Sequence, residues 1–196
     1  MIQIILASQS PRRKELLTQV GMEFVVCPST IEEHITEKSP VDVVKELSRQ
    51  KAEDVAQKVV SKETVKDFLV IGADTIVVYE NQILGKPVDK EDAIRMLGML
   101  QGKTHSVYTG VSLILQRENR KAITFAEKTE VVMCPMDQEE IEWYVNTGEP
   151  MDKAGAYGIQ GLCARFIREI RGDYNNVVGL PVGRIYQELK NQGGIV

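Results

Sequence analysis

The densest chemistry in the chain lies in Ser8-Gln9-Ser10-Pro11-Arg12-Arg13. Residues 1–7 read as a short apolar strand, and Ser10-Pro11 suits an N-cap followed by the first helical position. Arg12, Arg13 and Lys14 then crowd the first turn, the end of a helix that carries about half a positive charge. Cations at that end make sense when an anion normally sits among them. Serine hydroxyls, arginine forks and free backbone N–H groups together form a phosphate site. Solvated surface charge is the plainer alternative, and the strand-to-helix context favours phosphate.

Other residues stand out by position. Asp74 interrupts Phe68–Tyr79, the most apolar, β-prone run in the chain. A carboxylate there needs a partner or a cation. It reads either as a capped turn or as a carboxylate held rigidly at a strand break, and the second is favoured. Lys51 lies four residues from both Leu47 and Val55, inside the apolar stripe of a helix expected from Pro40 to Val59. It either snorkels outward or carries its ammonium into a cleft. Lys86 is presented between Gly85 and Pro87, and Glu33 sits in a polar loop; neither is distinctive alone. The stretch Gly155–Gly161 matches no dinucleotide fingerprint, and the chain has no Walker A sequence. Its glycines imply backbone lying close to a strand or a ligand. Gln160 within it either bonds backbone or offers one donor and one acceptor to a flat polar ligand.

These residues need a scaffold. Helices are expected at 11–20, 40–59, 89–100, 137–146 and 181–190, and strands at 1–7, 23–27, 68–79, 107–116, 122–133 and 164–170. Glu80-Asn81-Gln82 and Glu118-Asn119-Arg120 read as turns. The alternation makes an α/β protein with a mixed sheet. A length of 196 residues, 43% of them hydrophobic, allows a real core in one domain or two small lobes. A net charge of -4 and a pI near 5.4 argue against a nucleic-acid-binding protein, so a basic site must be local. The sequence has no run long enough to span a membrane, and Met1 leads into a strand rather than a signal peptide. Three cysteines without a Cys-x-x-Cys pair fit reduced thiols in the cytoplasm, and two histidines lack metal-ligand spacing.

Together the motifs resemble the Maf family of nucleoside triphosphate pyrophosphatases. The likeness rests on Leu6-Ala7-Ser8-x-Ser10-Pro11-Arg12-Arg13, Lys51-Ala52, Gly72-Ala73-Asp74-Thr75, Gly85-Lys86-Pro87, the 152–161 segment and the 172–181 segment, and spans essentially the whole chain. The resemblance implies a single Maf-like domain over 1–196. Its fold would be inosine triphosphate pyrophosphatase-like, a mixed twisted sheet wrapped by helices into two lobes with a central cleft. It implies cleavage between the α- and β-phosphates with a divalent metal, magnesium or manganese. By the family pattern Asp74 is the proton acceptor and Ser8, Arg12, Arg13, Lys51 and Lys86 hold phosphates. Glu33 and Asp74 would face the metal, and Arg12, Thr75 and Gln160 would bear on base choice. The Ile159-Gln160-Gly161 form looks like the branch acting on dTTP and UTP rather than on 7-methyl-GTP. A homodimer and a link to septum formation are further implications. The rivals are a non-catalytic nucleotide-binding regulator of septum formation and a nucleic-acid module built on the Arg12-Arg13 patch.

Overall fold

The computed structural model describes residues 2–61 and 65–192. Met1, with which the sequence starts the first strand, lies outside them. In chain order the elements are β1 (Gln3–Leu6), α1 (Pro11–Gln19), β2 (Phe24–Val26), α2 (Pro40–Ser61), β3 (Phe68–Tyr79), β4 (Gln82–Leu84), α3 (Lys90–Leu100), β5 (Thr104–Gln116), β6 (Arg120–Met133), α4 (Gln138–Asn146), β7 (Ile167–Arg171), α5 (Tyr174–Val178) and α6 (Val182–Asn191). Short 3-10 turns occupy Glu149–Asp152, Ala154–Ala156 and Leu162–Phe166. The seven strands form one mixed sheet in the order β2-β1-β3-β5-β6-β7, with β4 paired to β3. β1 runs parallel to β2 and β3, whereas β4 and β7 pair antiparallel to β3 and β6. No helix among the described residues is long and apolar enough to cross a membrane.

The chain forms two compact units: Met1–Asp74 with Thr109–Glu127 and Gly179–Val196, and Thr75–Tyr108 with Lys128–Val178. In the first, α2 lies directly on the sheet. Its buried face includes Val44, Leu47, Ala52 and Val55, the stripe that the 3.6-residue period predicts. Two glycines admit it. A Cβ at Gly72 on β3 would stand 2.5 Å from the Ser48 carbonyl oxygen and 2.8 Å from the Ala52 nitrogen, and one at Gly110 on β5 would collide with the Val44 carbonyl. Ser48, fully buried on the same helix, pairs its hydroxyl with Ser112 at 3.0 Å.

The second unit packs around Leu97, Leu100, Val107, Met133, Tyr144 and Cys163. Tyr79 pairs with Gln82, so Glu80 and Asn81 alone form the connecting loop. Both have positive φ (46° and 64°), the backbone of a type I′ hairpin turn, which favours Asn and Gly. Asp89 caps α3 by accepting from the Asp92 amide, and Asp137 with Glu140 completes a capping box on α4. His105 is buried, with Nε2 2.8 Å from the Tyr157 hydroxyl, and burial lowers its pKa from the usual 6.5 to about 4.

Several expectations change. β3 runs unbroken from Phe68 to Tyr79, so Asp74 occupies neither a strand break nor a capped turn but the middle of a ladder. The 164–170 strand begins only at Ile167, because residues 162–166 coil into a 3-10 turn. Ser10 stands at the N-cap of α1 without a side-chain cap bond; its own amide donates to Ser8 Oγ at 3.2 Å. The strand β4 begins at the last residue of the expected 80–82 turn, and the one-turn helix α5 lies outside the expected helices.

Candidate active site

Gly72 and Asp74 are two apart on β3 and therefore face the same side of the sheet. Ala52 of α2 touches that side at Gly72, and Lys51 is its neighbour in sequence. The same close approach that requires glycine thus carries Lys51 to Asp74. Lys51 Nζ lies 2.5 Å from Asp74 Oδ1 and 2.9 Å from Glu33 Oε1. The side chains of Lys51 and Asp74 are 18% and 15% exposed, so the snorkelling alternative fails: the ammonium turns inward to a carboxylate pair.

Arg13, in the first turn of α1, belongs to the same neighbourhood. Its Nη1 donates to Ser8 Oγ (3.1 Å) and to the carbonyl of Ala73 (2.9 Å), and its Nε donates to the carbonyl of Gly179 (2.8 Å). One guanidinium therefore ties the start of α1 to the strand residue before Asp74 and to the segment entering α6. Burial pushes its pKa below the usual 12.5; Asp74 and Glu33 oppose that and Arg12 adds to it. Guanidinium remains charged throughout the physiological range. The cations expected to hold phosphate on this unit, Arg12, Arg13 and Lys51, thus share one electrostatic neighbourhood with Ser8, Glu33 and Asp74.

Glu33 belongs to an irregular connection, residues 27–39, and its placement depends on one stripe of α2. Asp54 Oδ2 accepts from the Ser29 hydroxyl (2.8 Å) and the Thr30 amide (3.1 Å). One turn earlier, Gln50 exchanges two bonds with the backbone of His34 (3.1 and 2.6 Å). One turn earlier again, Glu46 accepts from the Thr36 hydroxyl and amide and from the Glu37 amide (2.6, 2.9 and 3.2 Å). Positions 46, 50 and 54 follow the i, i+4 row of a helix. The loop is laced antiparallel to that row, and the lacing holds Glu33 within reach of Lys51.

Thr75, Lys86 and Gln160 belong to the second unit. Lys86 is exposed in the loop after β4, and the Gly85 carbonyl in that loop accepts from the Gly155 amide at 3.0 Å. Gly155 has φ +68° and its α-carbon presses on Val77, where a Cβ would come within 2.9 Å. This is the close backbone approach that the glycine spacing implies, and its neighbour is a strand. Gln160 is exposed, between buried Ile159 and the Gly161 turn. Tyr144, Glu149 and Lys153, which pack beneath that turn, were not picked out from the sequence; Gly158 and Gly161 were the available signal. A Cβ at Gly158 would stand 2.6 Å from Lys153 Cε, and one at Gly161 would overlap the Glu149 carboxylate.

Among the described residues no group of three or more His, Cys, Asp or Glu side chains is placed to hold a metal ion. The pair Glu33 and Asp74 nevertheless suits a hard cation that keeps its waters. Magnesium typically takes one or two carboxylates and completes its shell with water and substrate phosphate. That both carboxylates already converge on one ammonium shows that the spot attracts positive charge.

The chain is similar to known proteins along nearly its whole length. A dTTP/UTP pyrophosphatase of Agathobacter rectalis is 61% identical, with 98% of each chain covered. One from Lachnoclostridium phytofermentans is 48% identical over 98% of this chain and 96% of its own, and one from Bacillus anthracis is 51% identical over 97% and 95%. A crystal structure of a nucleoside-triphosphatase (dITP/XTP pyrophosphatase) from Mycobacterium abscessus aligns with 69% of this chain and 76% of its own, at TM-score 0.38 and 14% identity. The family model described as Maf-like protein matches residues 3–192, and on that match the chain belongs to the Maf family.

Proposed function

We propose that the chain is a nucleoside triphosphate pyrophosphatase acting on dTTP and UTP, releasing the nucleoside monophosphate and pyrophosphate. The observation that carries this reading is identity of 48–61% to three proteins named for that activity, along nearly the whole length of each. The Asp74 neighbourhood supplies the chemistry. A triphosphate carries about four negative charges, and electrostatic stabilisation dominates phosphoryl transfer. Arg12, Arg13, Lys51 and the Ser8 hydroxyl bind and neutralise the phosphates, joined by Lys86. Glu33 and Asp74 would hold a divalent cation, magnesium or manganese, which when bound neutralises phosphate charge and acidifies water.

Asp74 takes a proton from the attacking water as its oxygen bonds to the α-phosphorus. The bond from that phosphorus to the bridging oxygen breaks, and the electron pair leaves with pyrophosphate. Lys51 holds Asp74 in place beforehand and is positioned to shift toward phosphate oxygens when substrate arrives. Gln160 reads the base: its C=O accepts from pyrimidine N3–H and its N–H₂ donates to a ring carbonyl. Arg12 and Thr75 contribute to that choice. We also place the chain in the cytoplasm, working as one domain over 1–196 and as a homodimer, on the family resemblance.

The test is pyrophosphate release across a nucleotide panel with and without magnesium. Asp74→Asn is expected to lower the rate on dTTP and UTP by about 10²–10⁴-fold, the usual worth of a general base. Undiminished release by that variant would remove Asp74 from the mechanism. A preference for 7-methyl-GTP would overturn the pyrimidine reading, and nucleotide binding without turnover would leave a regulator in place of an enzyme.

A further inference from the structure

We propose that Tyr144 and Glu149 are specificity-positioning residues, which hold the exposed tip Gln160-Gly161-Leu162 in one shape and so set how well pyrimidine and purine nucleoside triphosphates are separated. The proposal rests on Gln160 as the base reader. The tip is exposed, yet the residues on either side, Ile159 and Cys163, are buried (8% and 0% exposed). One chain of hydrogen bonds joins its two shoulders. The Gly158 amide donates to the Tyr144 hydroxyl at 3.1 Å, and that hydroxyl donates to Glu149 Oε1 at 2.9 Å. The other carboxylate oxygen, Oε2, accepts from the Leu162 amide at 3.0 Å.

Three further contacts stiffen the arrangement. Gly161 donates back to the Gly158 carbonyl at 3.3 Å, and its α-carbon lies flat on the Glu149 carboxylate, where a Cβ would collide. Lys153 Nζ fastens the Glu149 backbone by donating to its carbonyl at 2.5 Å. Tyr144 is fully buried at the end of the capped helix α4. None of these groups needs to touch the nucleotide. Their effect passes through Gln160, whose amide must meet an acceptor and a donor at once. Directional matching of that kind is lost when the backbone swings by a fraction of an ångström, whereas charge pairing to phosphates persists.

The experiment measures kcat/KM for UTP and ATP in Tyr144→Phe, Glu149→Ala, Glu149→Gln and Gln160→Ala. Tyr144→Phe leaves the ring in the core and removes one oxygen. It and Glu149→Ala are expected to lower the UTP:ATP ratio by about three- to tenfold, the worth of one or two hydrogen bonds. The change should lie in KM for UTP, with kcat within about twofold. Glu149→Gln should recover part of the ratio, because its amide oxygen still accepts from Leu162. Should Glu149→Ala fail to fold, Tyr144→Phe decides alone. Equal slowing of UTP and ATP, or an unchanged ratio while Gln160→Ala lowers it, would overturn the positioning role and leave the base reader standing. An unchanged ratio in Gln160→Ala itself would remove the base reader, and this proposal with it.

Discussion

The loop that carries Glu33 and the segment that carries Gln160 are both irregular, and different forces hold them. Loop 27–39 is laced to the outside of α2 by Glu46, Gln50 and Asp54, through bonds that are exposed or half-buried. Each such bond replaces one to water, so each contributes only about 0.5–1.5 kcal/mol. The Gln160 segment is anchored from below by the buried Tyr144 hydroxyl and by glycines seated on Glu149 and Lys153. A buried donor left without a partner costs more, about 1–3 kcal/mol, so this anchor resists opening. The contrast matches the work each region is assigned. Charges attract over several ångströms and tolerate a loop that adjusts, whereas base reading depends on hydrogen-bond direction.

Acid should separate the two regions most strongly. His105 in the second unit has a folded pKa of about 4 because it is buried, against 6.5 when exposed. Between those values the unfolded chain binds a proton that the folded one does not. Its contribution is therefore present above pH 6.5 and disappears as pH falls toward 4, a loss of about 3 kcal/mol. The lacing carboxylates respond lower. The Thr36 hydroxyl holds Glu46 below the ordinary 4.5; burial pushes Asp54 up, but Lys58, Ser29 and Thr30 outweigh it and bring it below 3.8. Their contribution is present above the ordinary carboxylate range and is lost only as pH falls beneath it. Amide exchange followed from pH 7 to 3.5 should show Val107 and Tyr144 losing protection before Thr30 and Thr36 lose theirs relative to neutral pH. His105→Gln should flatten the second unit's response between pH 6.5 and 4. The reverse order of loss would break the comparison.

Gly161→Ala sharpens it from the other side. The added Cβ displaces the Glu149 carboxylate from Leu162 and Tyr144. Overpacking and the loss of these two bonds together should cost about 2 kcal/mol in thermal unfolding. The UTP:ATP ratio should fall in the same variant.

How much of this could be read beforehand differs between the two regions. Periodicity and caps place β3, α3 and α4 almost to the residue, because Asp89 and Asp137 are local signals for local structure. Lys51 stands out by its phase on α2, but that phase leaves snorkelling open, and only the fold shows the inward turn to Asp74. The lacing was written in the sequence as Glu46, Gln50 and Asp54 at spacing four, but a polar row on a helix ordinarily faces water, and its partners lie 9 to 25 residues away. Tyr144 and Glu149 gave less. A tyrosine in a helix reads as core, and only the fold reveals that its oxygen meets Gly158. Asp74 misled for a related reason: a carboxylate in an apolar run reads as a break, but Lys51 satisfies it and the ladder continues unbroken.

The smallest effects belong to the lacing. Asp54→Ala removes two bonds to the loop and one to Lys58, and Gln50→Ala removes two to His34. Neither should lower global stability by more than about 1 kcal/mol, since these groups find water instead. What changes is the loop: protease cleavage within 29–37 should rise severalfold, and Asp54→Ala should rise more than Gln50→Ala. Activity should fall about two- to fivefold and alike on UTP and ATP, because the proposed function sets Glu33 at the part that every nucleoside triphosphate shares. Asp54 lies on the first unit, with no bond to the Gln160 segment among the described residues. A shift in the UTP:ATP ratio in Asp54→Ala would therefore mean that the lacing governs base choice as well, and the division of labour between a charge-holding loop and a base-reading tip would fail.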